Sequence, residues 1–410
     1  MNQPRPKPFC ISKHDVLEAW KRVGPCSGPM GVPEIQEAPR PSNPWVPMGA
    51  TVVETGTDTL GSLGNRSQGI AFMNGSWMSR EVHVQFWERV GVKFPRATHL
   101  PLYRQSAILE REAGIEMPRA TLTGWINRVG ELLRPISAAM GQELLAGDYI
   151  QADETPVAVQ MHDGRGKNHQ AYLWQYSTPG GVVVFDFRLG REREGPKRFL
   201  GNFEGILQSD GYGAYDHVGG AQIVHAGCWA HARRKFFEAV KLNPKDQSAI
   251  RIVAQMDELF AIDGQAREQG LTHPERQVLR LQKAMPLLEQ IKAAIKAARI
   301  DALPKSPLAK ACNYTLTLWQ RLTRFLDYPV LELSNNLAEN AIRPVALGRK
   351  NWIHVGSKEA GPRVAAIISV VETCRRLKIS VRDYLGSILP GLADFPINRI
   401  AELTPSAWAA

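Results

Sequence analysis

Cysteine is scarce in this 410-residue sequence, and the five that occur are unpaired by spacing. Cys10, Cys26, Cys228, Cys312 and Cys374 lie far apart and form no C-x-x-C pair. That pattern excludes a disulfide framework and the ligand spacing of a zinc ribbon, and predicts a reduced, cytosolic chain. Long apolar runs are also missing: nothing approaches the roughly 20 residues a membrane helix needs. The N-terminus MNQPRPKPF lacks the apolar centre of a signal peptide, so neither export nor a membrane partner is expected. Acidic residues are the minority charge, 40 against 50 Lys and Arg, which gives a net charge of +10. A basic balance suits a polyanionic partner such as nucleic acid, although many ordinary proteins share it. The length exceeds one ordinary domain and predicts a core able to bury its own interior, with smaller modules attached.

Residues 1–95 are punctuated by Pro, Gly and Ser (PRPKP, PCSGPMG, EAPRPSNPWVP), a density that prevents long elements and predicts an irregular or partly disordered segment. Within it ISKHDVLEAWKRV has helical spacing of Val16, Leu17, Trp20 and Val23. Over 96–145, RQSAILERE, a turn at Gly114 and MPRATLTGWINRVGELL form helix, turn and helix. This layout fits a helix-turn-helix DNA reader and equally a helical hairpin packed on the core.

Residues 146–241 turn β-rich. GDYIQADETPVAVQ alternates so that Tyr149, Gln151, Asp153, Thr155, Val157 and Val159 share a face. AYLWQY and VVVFDF follow as an antiparallel meander, then EGPKRFLGNFEG as a crossover helix, ILQSD as a fourth strand and AQIVHAGC as a fifth, running into WAHARRKFFEAVK. Residues 242–330 are helical by pattern and interrupt this block. The segment 331–390 completes it with two more helices, and 391–410 is a short Pro-containing tail.

Three strands, a helix and a fourth strand is the order of a ribonuclease-H-like core, an α/β fold with a mixed sheet flanked by helices. There the first and fourth strands are neighbours. Asp153 and Asp210 would then stand on strands roughly 4.8 Å apart. Such carboxylates repel unless a cation sits between them, and Mg²⁺ prefers hard oxygen ligands and suits phosphate chemistry. Glu339 in SNNLAENAIRP is the candidate third acid, but it also fits a capping box with Asn336 and an i,i+4 ion pair with Arg343. Asp210-Gly211 fits a plain turn as well. Asp153 is the sharper candidate, since a carboxylate on a face shared with Val157 and Val159 is costly without a partner. Glu154 points to the opposite face and is secondary.

With these residues in view, the chain from about His99 to Leu389 resembles the insertion-sequence 66 family of bacterial transposases. The matching segments are HLPLYRQSAILEREAGIEMPRATLTGWI, ADET with Asp153, SDGYGAYD with Asp210, HAGCWAHARRKFFEA, and the long block from SNNLAENAIRP, with Glu339, to RRLKI. The resemblance implies a ribonuclease-H-like catalytic core with an α-helical insertion, preceded by a small helical module. It implies Asp153, Asp210 and Glu339 as catalytic metal ligands, with Mg²⁺ or Mn²⁺, as two ions, for cofactor. The activity implied is cleavage of DNA at the element's ends and strand transfer into target DNA by a cytoplasmic, nucleoid-associated protein. Implied partners are DNA, further copies of the chain on paired ends and small accessory proteins. Residues 1–95 depart from the family, whose members usually carry an N-terminal helical segment and a cysteine-rich zinc region there. A DNA-binding remnant without activity, or a nuclease that cuts without joining, are the rival readings.

Two basic groups are candidates for DNA. Arg233, Arg234 and Lys235 lie opposite a buried stripe of Trp229, Ala232, Phe236 and Val240, although such a run is commonly a solvated face. Arg343, Arg349, Lys350 and Asn351 follow Glu339 closely enough to flank a scissile phosphate if it binds metal. Cys228 and His231 have metal-ligand spacing, but without a second pair they fit a core thiol and a polar histidine better.

Overall fold

A computed structural model describes residues 101–164 and 166–409. The expectations for residues 1–95, including the helix at ISKHDVLEAWKRV, lie outside the described residues, as do the first five residues of the 96–145 module. Helix α1 (Leu102–Ala113) stops at Gly114, whose φ of 63° is the left-handed C-cap conformation that glycine adopts without strain. Helix α2 (Arg119–Ala146) is 28 residues long and has two different halves. Leu133, Ile136, Met140 and Leu144 recur at three- and four-residue spacing and are buried, whereas Trp125 and Ile126 near its start are exposed. The second half is therefore a core helix, whatever the first half contacts.

Alternation then sets the sheet. Strands β1 (Tyr149–Val159), β2 (His169–Ser177) and β3 (Val183–Arg188) pair as an antiparallel meander. The chain crosses through α3 (Glu194–Leu200) to β4 (Ile206–Gln208), which lies parallel to β1, and continues to β5 (Val224–Ala226), parallel to β4. The result is a five-stranded mixed sheet in the order β3-β2-β1-β4-β5, with the first and fourth strands adjacent as the sequence predicts.

Helix α4 (Trp229–Leu242) leads into a run of helices, α5 (Gln247–Glu268), α6 (His273–Leu279), α7 (Met285–Asp301), α8 (Pro307–Thr317) and α9 (Trp319–Leu322). A π-helical turn, Arg280–Ala284, joins α6 to α7. Residues 323–335, which begin with a 3-10 turn at Arg324–Leu326, form a strap that returns to the sheet and opens α10 (Asn336–Trp352), followed by α11 (Ala360–Arg376) and α12 (Val381–Ile388).

The sheet separates two cores. On one face Ile150, Ala152, Trp174, Tyr176 and Val184 pack with the buried stripe of α2 and with Ala366, Val370 and Cys374 of α11. A fully buried aliphatic such as Val370 contributes roughly 1.5–3 kcal/mol. On the other face Val157, Val159, Leu173 and Phe185 meet Ala341, Ile342 and Val345 of α10. Beside them, Tyr149, Ile206 and Ala226 meet Trp229 and Phe236 of α4 and the helices of 247–322. The C-terminal tail does not trail away: Ile400 and Leu403 pack on the first core, and Leu403 accepts a hydrogen bond from the Tyr384 hydroxyl. Its last turn, α13 (Pro405–Ala409), sets Trp408 edge-on to Tyr384. Among the described residues no helix is long and apolar enough to cross a membrane.

Candidate active site

The parallel pairing of β1 and β4 ends with Gln151 opposite Gln208. Asp153 and Asp210 each lie two residues further on, so neighbouring strands deliver both acids to the same edge of the sheet. The Asp-Gly turn is also real: Asp210 Oδ1 accepts the Tyr212 amide at 2.8 Å, and Gly211 has a φ of 87°. A side chain at Gly211 would meet the methyl end of Leu318 at 2.5 Å, which can turn aside, so it is the backbone conformation that requires glycine. The hydroxyl of Tyr314, on α8, donates to the Asp210 carbonyl.

Glu339 lies in the first turn of α10. The capping box that the sequence allows does not form: Asn335 is the N-cap residue and makes no side-chain cap. Asn335 instead donates from Nδ2 to the Ala152 carbonyl at 3.2 Å, tying the start of α10 to β1 beside Asp153. The Glu339 carboxylate faces α4, with Arg234 Nη2 3.2 Å from Oε2 and His231 Nδ1 3.6 Å from Oε1.

Burial, and then the charges of Glu154, Asp210 and Glu339, push the Asp153 carboxyl up to about 8, against the opposing hydrogen bond from the Glu154 amide at 2.9 Å. Asp210 and Glu339 therefore both lie within electrostatic reach of Asp153. Among the described residues, no three His, Cys, Asp or Glu stand at the spacing of a formed metal centre. The donor chemistry nevertheless fits a hard divalent cation. All three candidates supply carboxylate oxygen, Glu339 Oε1 is buried without a hydrogen-bond partner, and a cation would relieve the pressure on Asp153.

Several neighbours carry little signal in the sequence. Gln175 lies directly across from Asp153 on β2, fully buried, with neither amide atom hydrogen-bonded. His231, weighed from its C-x-x-H spacing only as a zinc ligand or a polar core residue, faces two acids. Burial lowers its pKa, while the charges of Glu339 and Asp210 work the other way. Cys228 is a buried thiol, which burial pushes up to about 12. Glu154 occupies the opposite face, as its parity predicts, with its carboxylate on Arg191 at 2.5 Å and on the Tyr215 hydroxyl at 2.8 Å. Arg191 in turn stacks 3.9 Å from the Tyr212 ring centre, so this set braces the turn after Asp210 against β1.

The basic candidates divide. Arg233 pairs with Asp257 of α5, and Lys235 lies 4.5 Å over the Tyr314 ring. Arg234 alone of that trio touches an acid of the site, and about half of its side chain remains exposed. Val240, assigned to the buried stripe of α4, is only half-buried, and Ala239 takes its place. On α10, Arg343 is exposed, and Arg349 donates to the Pro156 carbonyl of β1. The side chains of Lys350 and Asn351 lie outside the described residues.

Comparison with known proteins adds an independent line. The model of the Transposase IS66 family matches residues 93–363. Three proteins of Sinorhizobium fredii, described as uncharacterized proteins y4hP, y4qI and y4jD, are 31%, 32% and 32% identical over 334, 326 and 334 residues. The alignments cover 76%, 75% and 77% of this chain, but only 59%, 60% and 64% of those relatives, so the chain spans about six-tenths of the curated proteins it matches. A match that takes in all three acids and the whole five-stranded sheet leads to one conclusion: the chain belongs to the IS66 family of transposases.

Proposed function

We propose that this chain is a DDE-type DNA transposase with a ribonuclease-H-like core, which cleaves DNA at the ends of an insertion sequence and transfers the freed strands into target DNA. What supports the reading is that β1 and β4, paired side by side, carry Asp153 and Asp210, that α10 with Glu339 is tied to β1 beside Asp153, and that Asp153, raised first by burial and by Glu154, also feels the charges of Asp210 and Glu339. The strand order β3-β2-β1-β4-β5, with β4 and β5 parallel to β1, supports the fold assignment.

Asp153, Asp210 and Glu339 would hold Mg²⁺ or Mn²⁺, as a pair of ions. When bound, the ions supply charge stabilisation for in-line displacement at phosphorus. The carboxylates serve as ligands and not as nucleophiles. Arg234 steadies Glu339 from α4 and keeps N–H donors exposed toward solvent, where a phosphate oxygen of bound DNA can accept them. Arg233, Lys235, Arg343, Arg349, Lys350 and Asn351 extend the same assignment as backbone contacts. The helical module ahead of β1 is assigned to DNA recognition, and the working form to a homo-oligomer on paired ends, with accessory proteins as further partners.

The test incubates the protein with candidate element ends and Mg²⁺ or Mn²⁺, using EDTA as control. Asp153→Ala, Asp210→Ala and Glu339→Ala should each abolish cleavage while circular dichroism stays native, and undiminished cleavage by all three sinks the assignment. Pre-cleaved ends should be joined to target DNA. Cutting without joining would leave a nuclease, and salt-sensitive binding without any metal-dependent product would leave a DNA-binding protein.

A further inference from the structure

The helical segment between α4 and α10 carries a buried ion cluster that the proposed chemistry does not use. Asp263 of α5 is enclosed, with its side chain 2% exposed, and is held by two arginines of the α6 region. Arg276 reaches it through Nε at 3.1 Å and Nη2 at 2.6 Å, and Arg280 through Nε at 2.9 Å. Both arginines spend their remaining donors on the strap that leads to α10. Arg280 donates to the carbonyls of Phe325 at 3.1 Å, Pro329 at 3.3 Å and Leu331 at 2.7 Å. Arg276 holds the Glu332 carboxylate at 3.1 and 3.2 Å, and Arg267 stands 3.6 Å from it.

From Glu332 onward each residue of the strap is pinned to the catalytic sheet or to α4. The Glu332 amide donates to the Tyr149 hydroxyl at 3.3 Å, and its carbonyl accepts from Gln208 at 2.7 Å. Leu333 accepts from the Trp229 amide at 2.9 Å, and Ser334 from Gln151 at 3.1 Å. Asn335 bonds to the Ala152 carbonyl, and Glu339 follows one turn later. The segment also reaches the second acid, through Tyr314 on the Asp210 carbonyl.

We infer that Arg276 and Glu332 are positioning residues: their ion pair lets the helical segment set the first turn of α10, and through it the place of Glu339. The inference rests on the three-acid reading for its metal consequence and on geometry alone for its effect on α10. A forked Arg–carboxylate pair, here with the arginine buried and the Glu332 side chain 21% exposed, fixes direction as well as distance, which a neutral hydrogen bond does less well. The segment thereby becomes a lever on the site, since a load on α5 or α6 shifts the strap that carries the third acid.

Glu332→Gln and Arg276→Gln remove one charge each and keep hydrogen-bonding atoms. Amide hydrogen exchange over 336–343 and Mn²⁺ binding, followed by electron paramagnetic resonance, are measured on the full chain. A Val370→Ala variant, which loosens the opposite face, controls for general loss of stability. Both charge variants should exchange faster over 336–343 and bind Mn²⁺ about tenfold more weakly, the scale of losing a group that orients a ligand. Val370→Ala should move neither at the same loss of melting temperature, and Arg276→Lys should recover part of the Mn²⁺ affinity. Unchanged exchange and unchanged affinity in folded charge variants overturn the inference and leave the three-acid reading standing. A wild-type chain that binds no Mn²⁺ removes that reading instead, while faster exchange over 336–343 in the variants still supports the clamp.

Discussion

Asp153 and Asp263 are both carboxylates withdrawn from water, and their surroundings are opposite. Asp153 stands among acids, and burial together with the charges of Glu154, Asp210 and Glu339 drives it up to about 8. Burial also works to raise Asp263, but the hydrogen bonds and charges of Arg276 and Arg280 outweigh it and leave that carboxyl below its ordinary value. A buried anion matched by cations belongs to the scaffold, because its neighbours already satisfy it. A buried acid surrounded by acids carries an unmet demand for positive charge, and such unmet demand gathers where chemistry is done. Within one protein, the contrast separates the group that holds the molecule together from the group that needs something brought to it.

The contrast can be broken most sharply by deleting each acid in turn. Asp263→Ala should destabilise the metal-free protein by about 3–5 kcal/mol in urea unfolding, because Arg280, 1% exposed, is left without its counter-charge. Asp153→Asn should leave the metal-free protein as stable as wild type or more so, since it replaces a carboxyl that folding forces to take up a proton with a neutral group. Equal losses in the two variants would erase the distinction.

Acid sharpens it further. A carboxyl held below its ordinary value contributes fully above the unfolded pKa of about 4, and the contribution is lost as pH falls through the lowered folded value. The stability gap between wild type and Asp263→Asn, followed by urea midpoints from pH 7 to pH 3, should hold steady to about pH 4 and then narrow. A gap that widens on acidification contradicts the assignment of that charge.

The smallest effect belongs to the surface. Arg233 pairs with Asp257, whose side chain is half exposed, so Arg233→Ala should cost no more than about 1 kcal/mol in the same unfolding assay. A loss as large as that of Asp263→Ala would mean that exposure does not govern these pairs.

Much of the sheet could be read directly. Alternation from Tyr149 to Val159 fixed the first strand and put Asp153 and Glu154 on opposite faces, because side-chain direction in a strand follows parity alone. The length of α2 was less legible, since Pro135 inside it reads as a stop, whereas the structure carries the helix through it to Ala146 with its second half packed on the sheet. Of the candidate site, Asp153, Asp210 and Glu339 could be named from spacing and resemblance and Arg234 as a DNA candidate, whereas the contact of Arg234 with Glu339 and the places of Gln175 and His231 could not be read. A glutamine in a strand and a histidine in a C-x-x-H carry no mark of which acid they will face. For Glu339 the residues alone allowed a cap as well as a ligand, and the resemblance favoured the ligand; the structure adds that Asn335, the N-cap residue, makes no side-chain cap and bonds to Ala152 instead.

Local chemistry, then, determined the elements of this protein: where strands alternate, where a glycine must turn the chain, and which acids lie on a buried face. Only the tertiary structure decided which charges meet, because Coulomb interactions act through space, and residues as remote as Asp153, Asp210 and Glu339, or Asp263 and Glu332, become neighbours only when sheet and helices close on one another.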